Sequence, residues 1–327
     1  MFLCFSAGGI NGLVHVGAWR VLETISMKQG TWLHTQIEGA SGASVGSIIA
    51  LAVVLGYSSV EFEHLAKDAL TTTNIQQAHR DQQKGLLSIS VIANVVKDML
   101  QTKTGHADIT FGELYTRGYA ATGKRLVMSV HNLTTLKGEM FGTHLTDDCE
   151  VWRAVCMSCS LPIVFGSMMY KDCEYTDGGL SNALPLEEAY LERTIAIRIV
   201  KTANAFGCHE SLLSHLGRII EAYGTATEVR LETQRDRLLS FIEVVVDTPT
   251  MFKLVTTGGS LTLQPAEQRH QIHIGMMAAL KVLYPDLAML ISTLYHSLGN
   301  LPCISAECLP AADASVPWSM MTPTNPP

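Results

Sequence analysis

Two glycine-rich turns constrain this chain most. Residues 5–12 read FSAGGING and residues 39–46 read GASGASVG. Phe2–Phe5, before the first turn, is a short buried-strand candidate, and Ile37–Ala40 is a second. After the first turn, Leu13, Val16, Val21 and Leu22 suit a helix better than a strand. After the second, SIIALAVVLG (47–56) reads as a buried helix ending at Gly56. The chain therefore opens β–turn–α–β–turn–α, the habit of a parallel, doubly wound sheet.

At 327 residues the chain has room for one large α/β domain or two small ones. Hydrophobic residues make up 47% and charged residues only 16%, which predicts a large buried sheet and an apolar surface patch. The formal net charge is −7 and no stretch gathers Lys and Arg, which argues against a nucleic-acid partner. Among the eight cysteines, Cys156 and Cys159 form a CxxC with no second one to complete a zinc site. Free thiols packed as small hydrophobes in a reducing compartment fit better. The opening MFLCF lacks a basic segment and runs straight into a glycine turn, so it reads as a first strand rather than a signal peptide. No apolar run reaches the roughly 18 residues that span a bilayer. The expectation is an intracellular, cytoplasmic chain, soluble or peripheral to a membrane.

Residues 60–122 read as a mainly helical, polar insertion. RLVMSV (125–130) and LKGEMF (136–141) are strand candidates. DDCEVWRAVCMS (147–158) reads as a helix capped by Asp147, with Glu150 completing a capping-box-like pair. MMYKDCEYTDGG starts strand-like and ends in a glycine turn, and TIAIRIV (194–200) is a buried strand. A long amphipathic helix is expected over 210–240, a strand over 241–247 and a helix over 265–283. This gives one domain over 1–284 and a short helix with a Pro-rich, flexible tail over 285–327.

Gly42-Ala43-Ser44-Val45-Gly46 fits G-x-S-x-G. That pattern belongs to a sharp strand-to-helix turn, with a strained nucleophile and glycines that leave room for neighbouring backbone. The amides of the helix that follows favour developing negative charge. Ser41 offers a second register, but Ala43 stands where its closing glycine belongs. A capping serine in a tight turn is the plainer alternative. Gly8 and Gly9 end the first strand, at the sheet edge where the Ser44 turn also opens, so their amides can form an oxyanion hole. A dinucleotide fingerprint fails, because Ala7 stands at its first glycine. No P-loop pattern occurs. Asp177-Gly178-Gly179, after a strand-like run, supplies a candidate base in an accessible loop.

Taken in order, SAGGING, SGASVGSIIA, AVCMSCSLPIVFG and YTDGGLSNALP resemble the patatin-like phospholipases. The resemblance is strong over residues 1–200, weak to 284 and absent beyond. It implies a three-layer α/β/α fold with a mainly parallel central sheet. It also implies a Ser44–Asp177 dyad, Gly8 and Gly9 as oxyanion donors, and Gly12, Gly42, Gly46, Gly178 and Gly179 as supporting motif glycines. The implied reaction is hydrolysis of a lipid ester through an acyl-enzyme, with no metal or cofactor, at a membrane, lipid-droplet or vesicle surface. Two positions depart from the family pattern: Ala7 replaces a glycine, and Asn11 stands where Arg or Lys is usual. Ala7 is costly only if its φ is positive. Loss of the basic residue predicts weaker attraction for phosphate-bearing head groups.

Two other readings remain. A Ser–His–Asp triad would draw on His270 or His273 beyond Asp177, although both fall in a helical segment and Ser44 comes early. His15 and His131 read as structural. Alternatively the chain is a catalytically weak lipid-binding module on the same fold. Fourteen methionines suit either a lipid-facing rim or a gap-filled core.

Overall fold

The computed structural model describes residues 1–69, 85–116, 122–201, 233–246 and 263–285. Strand β1 (Phe2–Phe5) leads through a 3-10 turn (Gly9–Gly12) into α1 (Leu13–Lys28), α2 (Leu33–Gln36), β2 (Gly39–Gly42) and α3 (Val45–Val54). Helices α4 (Ser59–Ala69), α5 (Ser90–Thr104) and α6 (Phe111–Thr116) follow. Next come β3 (Arg125–Asn132), β4 (Lys137–Gly142), α7 (Val151–Ser158), β5 (Met168–Tyr170) and β6 (Cys173–Asp177). The last described elements are β7 (Thr194–Lys201), β8 (Ser240–Val246) and α8 (Pro265–Leu283).

All of these strands join one sheet. Its heart is parallel, in the order β3-β2-β1-β7-β8. β4, β5 and β6 add antiparallel pairings at the β3 end. The α/β class with a mainly parallel central sheet is thus the one observed. β1 is buried along its whole length, as a parallel strand covered on both faces must be. One face, with Leu3, Phe5, Ala40, Leu126 and Met128, joins the main core beneath the helices. The other is covered by residues 182–190: Phe2 stacks on Tyr190, and the Ser129 hydroxyl donates to the Asn182 carbonyl.

β3 sets the geometry that matters later. Met128 lies between Phe141 of β4 and Gly42 of β2, while Val130 lies between Glu139 of β4 and Asp177 of β6. β4 occupies one edge of β3 without a break. β2 and β6 therefore share the other edge, one parallel and one antiparallel to β3, and run toward each other.

Several sequence expectations shift. β2 covers 39–42 rather than 37–40. α7 begins at Val151, and its cap, Glu150, makes no side-chain capping bond. Asp147 instead accepts the His144 N–H at 2.7 Å, so it closes a preceding turn. The helix expected over 210–240 does not reach its end, since Arg235–Arg237 form a 3-10 turn and β8 starts at Ser240; residues 210–232 of that stretch lie outside the described residues. So do 70–84 and 117–121 of the insertion, and the tail from 286. α8 matches its expected span, with Pro265 in its first turn and a Gln264–Glu267 capping box. Among the described residues no helix is long and apolar enough to cross a membrane.

α8 closes the fold by packing on α1 with backbone against backbone. A Cβ on Gly17 would stand 2.0 Å from the Ile272 carbonyl oxygen, and one on Gly275 would stand 2.0 Å from that of Val14. Helix propensity alone favours Ala over Gly by about 1 kcal/mol. Here the clash outweighs it, because helix backbone cannot step aside as a side-chain tip can. Gly17→Ala is expected to lower stability by about 1–3 kcal/mol in urea denaturation; a more stable variant would refute the close approach.

His15 of α1 is buried, packs edge-on against Phe5, and holds the Ser6 carbonyl through Nε2 at 2.9 Å. Nε2 therefore carries the proton. Burial pushes its pKa from 6.5 down to about 4, so the folded chain keeps it neutral. Between those values the unfolded chain binds more protons. Stability complete above pH 6.5 is lost as pH falls toward 4, by up to about 3 kcal/mol. His15→Gln keeps an N–H donor but does not titrate. Chemical denaturation at pH 7 and pH 4.5 should show a smaller acid loss for this variant than for the wild type.

Candidate active site

Ser44 lies between β2 and α3 in a conformation unusual for a side-chain-bearing residue, with φ 53° and ψ −128°. Such backbone persists only where its surroundings over-determine it. The flanking glycines show how tight the turn is. A Cβ on Gly42 would stand 2.1 Å from the Gly46 carbonyl oxygen, and one on Gly46 would stand 2.4 Å from that of Phe5. Ser44 is the N-cap residue of α3, yet its hydroxyl makes no capping bond. The plain role of a capping serine is thus not the one it plays. Ser44 is half-buried at the helix N-terminus, and its N–H donates to the Ser158 hydroxyl at 3.0 Å. The Ser47 hydroxyl donates to the Ser44 carbonyl at 2.6 Å.

The first glycine turn packs directly on this elbow. A Cβ on Gly12 would stand 2.4 Å from Cγ2 of Val45, the residue after Ser44. Gly9 has φ 57°, which an L side chain resists. Among the described residues the Gly8 and Gly9 amides have no hydrogen-bond acceptor. Ala7 does not have positive φ, so the missing glycine carries no backbone strain. Its N–H donates to the Ala183 carbonyl at 2.8 Å. Asn11 corrects the head-group expectation. It is fully buried and accepts from Gln271 Nε2 of α8 at 3.2 Å, so it faces the interior rather than an incoming ligand.

Asp177 ends β6 and is 3% exposed. Its Oδ1 accepts the Gly179 N–H at 2.7 Å, which fixes the carboxylate as the cap of the 3-10 turn Gly178–Leu180. Gly178 lies so close to β3 that a Cβ would stand 2.0 Å from the Ser129 carbonyl oxygen. A Cβ on Gly179 would stand 3.1 Å from that of Ala7, so the aspartate turn also touches the first glycine turn. Gly42 and Asp177 pair with Met128 and Val130, which puts the two strand ends about 7 Å apart along β3. All three motif turns thus converge at one sheet edge.

The other candidates go elsewhere. Ser41 is fully buried and donates to the Pro185 carbonyl at 2.7 Å. His131 is buried within β3, and burial lowers its pKa. His270 sits on the exposed side of α8 and His273 is half-buried there. The CxxC thiols are buried, and burial raises both pKa values, Cys156 to about 12. Among the described residues no cluster of His, Cys, Asp and Glu could hold a metal ion. Sequence reasoning missed Ser158; its trace is the small-residue run Ser158-Cys159-Ser160 before Pro162.

The sequence model described as patatin-like phospholipase matches residues 3–190. A probable lipid hydrolase, 463L of Invertebrate iridescent virus 6, is 30% identical over 192 residues, covering 57% of this chain and 62% of the relative. Patatin-like phospholipase domain-containing protein 4 of Homo sapiens is 24% identical over 186 residues, covering 56% of this chain and 66% of the relative. The chain thus spans less than two thirds of the length of these curated relatives. Among solved structures, VipD of Legionella pneumophila superposes with a TM-score of 0.45 at 13% identity, over 83% of this chain and 66% of that one. With the family match reaching over more than half of its length, this chain belongs to the patatin-like phospholipase family.

Proposed function

We propose that this chain is a lipid acyl hydrolase in which Ser44 is the nucleophile and Asp177 the base. The carrying observation is the convergence of a strained, uncapped serine, an aspartate held by Gly179, and a glycine turn whose Gly8 and Gly9 amides have no acceptor among the described residues. The Ser44 Oγ attacks the ester carbonyl as its proton passes to the Asp177 carboxylate. The Gly179 N–H, bonded to Oδ1, holds the carboxylate that receives it. The carbonyl oxygen becomes an oxyanion, which the Gly8 and Gly9 amides and the N-terminus of α3 stabilise. As the intermediate collapses, the alcohol leaves with the proton from Asp177, and the acyl group stays on Ser44. Water then attacks the acyl-enzyme and gives its proton to Asp177. The fatty acid leaves, and that proton returns to Ser44.

The lipid nature of the substrate comes from the family and from the relative named a lipid hydrolase. We assign the working surface to a membrane, lipid droplet or vesicle on the same grounds.

A fluorophosphonate probe, a short-chain p-nitrophenyl ester and mixed phospholipid vesicles test this reading. Wild-type protein should be labelled and should cleave ester and lipid. Ser44→Ala should lose both. Asp177→Asn keeps shape but not basicity, and should lower kcat by about 10²–10⁴-fold. His270→Ala should stay within twofold of wild type; its inactivation without unfolding would point to a triad instead. Wild-type protein that neither labels nor cleaves would leave only a binding role.

A further inference from the structure

We propose that Ser158, at the end of α7, is a positioning residue that sets the nucleophile against the base. The proposal rests on the Ser44–Asp177 reading and adds to it. Ser158 is fully buried, and its hydroxyl accepts the Ser44 N–H at 3.0 Å across 114 residues of sequence. Two positions on, the Ser160 carbonyl accepts the Asp177 N–H at 3.1 Å and the Thr176 hydroxyl at 2.6 Å. Ser158 and Ser160, two residues apart, thus hold the backbone of both partners. Cys159, between them, lies with its sulfur 3.7 Å from the Ser47 hydroxyl, which itself holds the Ser44 carbonyl.

The block is itself rigid. The Ser160 hydroxyl donates to the Cys156 carbonyl at 2.8 Å, and the N–H of Cys159 returns to Val155. The Ser158 contact meets a specific need. With φ 53° and ψ −128°, Ser44 sits outside the common backbone regions and must be held there by its neighbours. An oxygen placed on its amide resists the rotation about φ that would relax it. Such a rotation would change the direction in which the Ser44 side chain leaves the turn. β3 sets the spacing of the two strand ends, and Ser158 sets the attitude of the residue that projects beyond one of them.

The test uses full-length protein, the fluorophosphonate probe and a short-chain p-nitrophenyl ester, with folding checked by circular dichroism. Ser158→Ala should lower both the labelling rate of Ser44 and kcat by roughly ten- to a hundredfold, with KM within twofold. Ser158→Thr keeps the oxygen and should restore most of the rate. Should Ser158→Ala fail to fold, Ser158→Cys takes its place, with similar volume and a weaker acceptor. A folded Ala or Cys variant that labels at the wild-type rate overturns the proposal. So does a folded Thr variant as slow as Ala. Failure of the wild type to label would instead remove the hydrolase reading itself, so the two failures are distinguishable.

Discussion

One edge of β3 carries β2 and β6 end to end, and the candidate site depends on that shared edge. A parallel strand delivers its carboxyl end to the same side of the sheet as its neighbours. An antiparallel strand delivers its carboxyl end to the opposite side. β6 evades this because it pairs only with the far half of β3, beyond the point where β2 has stopped. Its last residue, Asp177, therefore arrives facing the end of β2. Two chain ends that converge along a single hydrogen-bonded edge have little freedom in their separation. The 133 positions between Ser44 and Asp177 are bridged by register rather than by a flexible loop.

Close backbone approach is the second constraint. Gly42, Gly46 and Gly178 each stand where a Cβ would fall within 2.4 Å of a carbonyl oxygen. Gly12 and Gly179 abut the neighbouring turns through Val45 and Ala7. These glycines are therefore steric requirements of one compact site rather than separate loop residues. The same economy of space recurs behind the site, where Gly17 and Gly275 let α1 and α8 meet. Gln271 of α8 reaches Asn11 in the first turn, so the helix that closes the core also buttresses that turn.

Much of this was legible in the sequence, for physical reasons that can be named. β1 and α3 carry local signals strong enough to stand alone: a continuous apolar run, and an apolar helix stopped by glycine. β2 does not. GASG has little strand propensity, and it is a strand because β1 and β3 pair with it on either side. The Asp147 cap was misread because a three-residue spacing fits the turn that closes on His144 as well as it fits a helix start. Ser44 and Asp177 were visible as motifs. Ser158 was not, since a serine late in a helix looks the same whether its hydroxyl meets solvent, its own backbone or a distant elbow.

Asn11 shows where motif logic and geometry part. From the sequence, an asparagine at a position usually basic suggests a weaker hold on a charged head group. That inference assumes the side chain faces the ligand. Here it points inward, fully buried, and meets Gln271. An uncompensated cation in that place would lose its hydration, which is far more costly than burying an amide. Asn11 is therefore fitted to the buried contact between the first turn and α8.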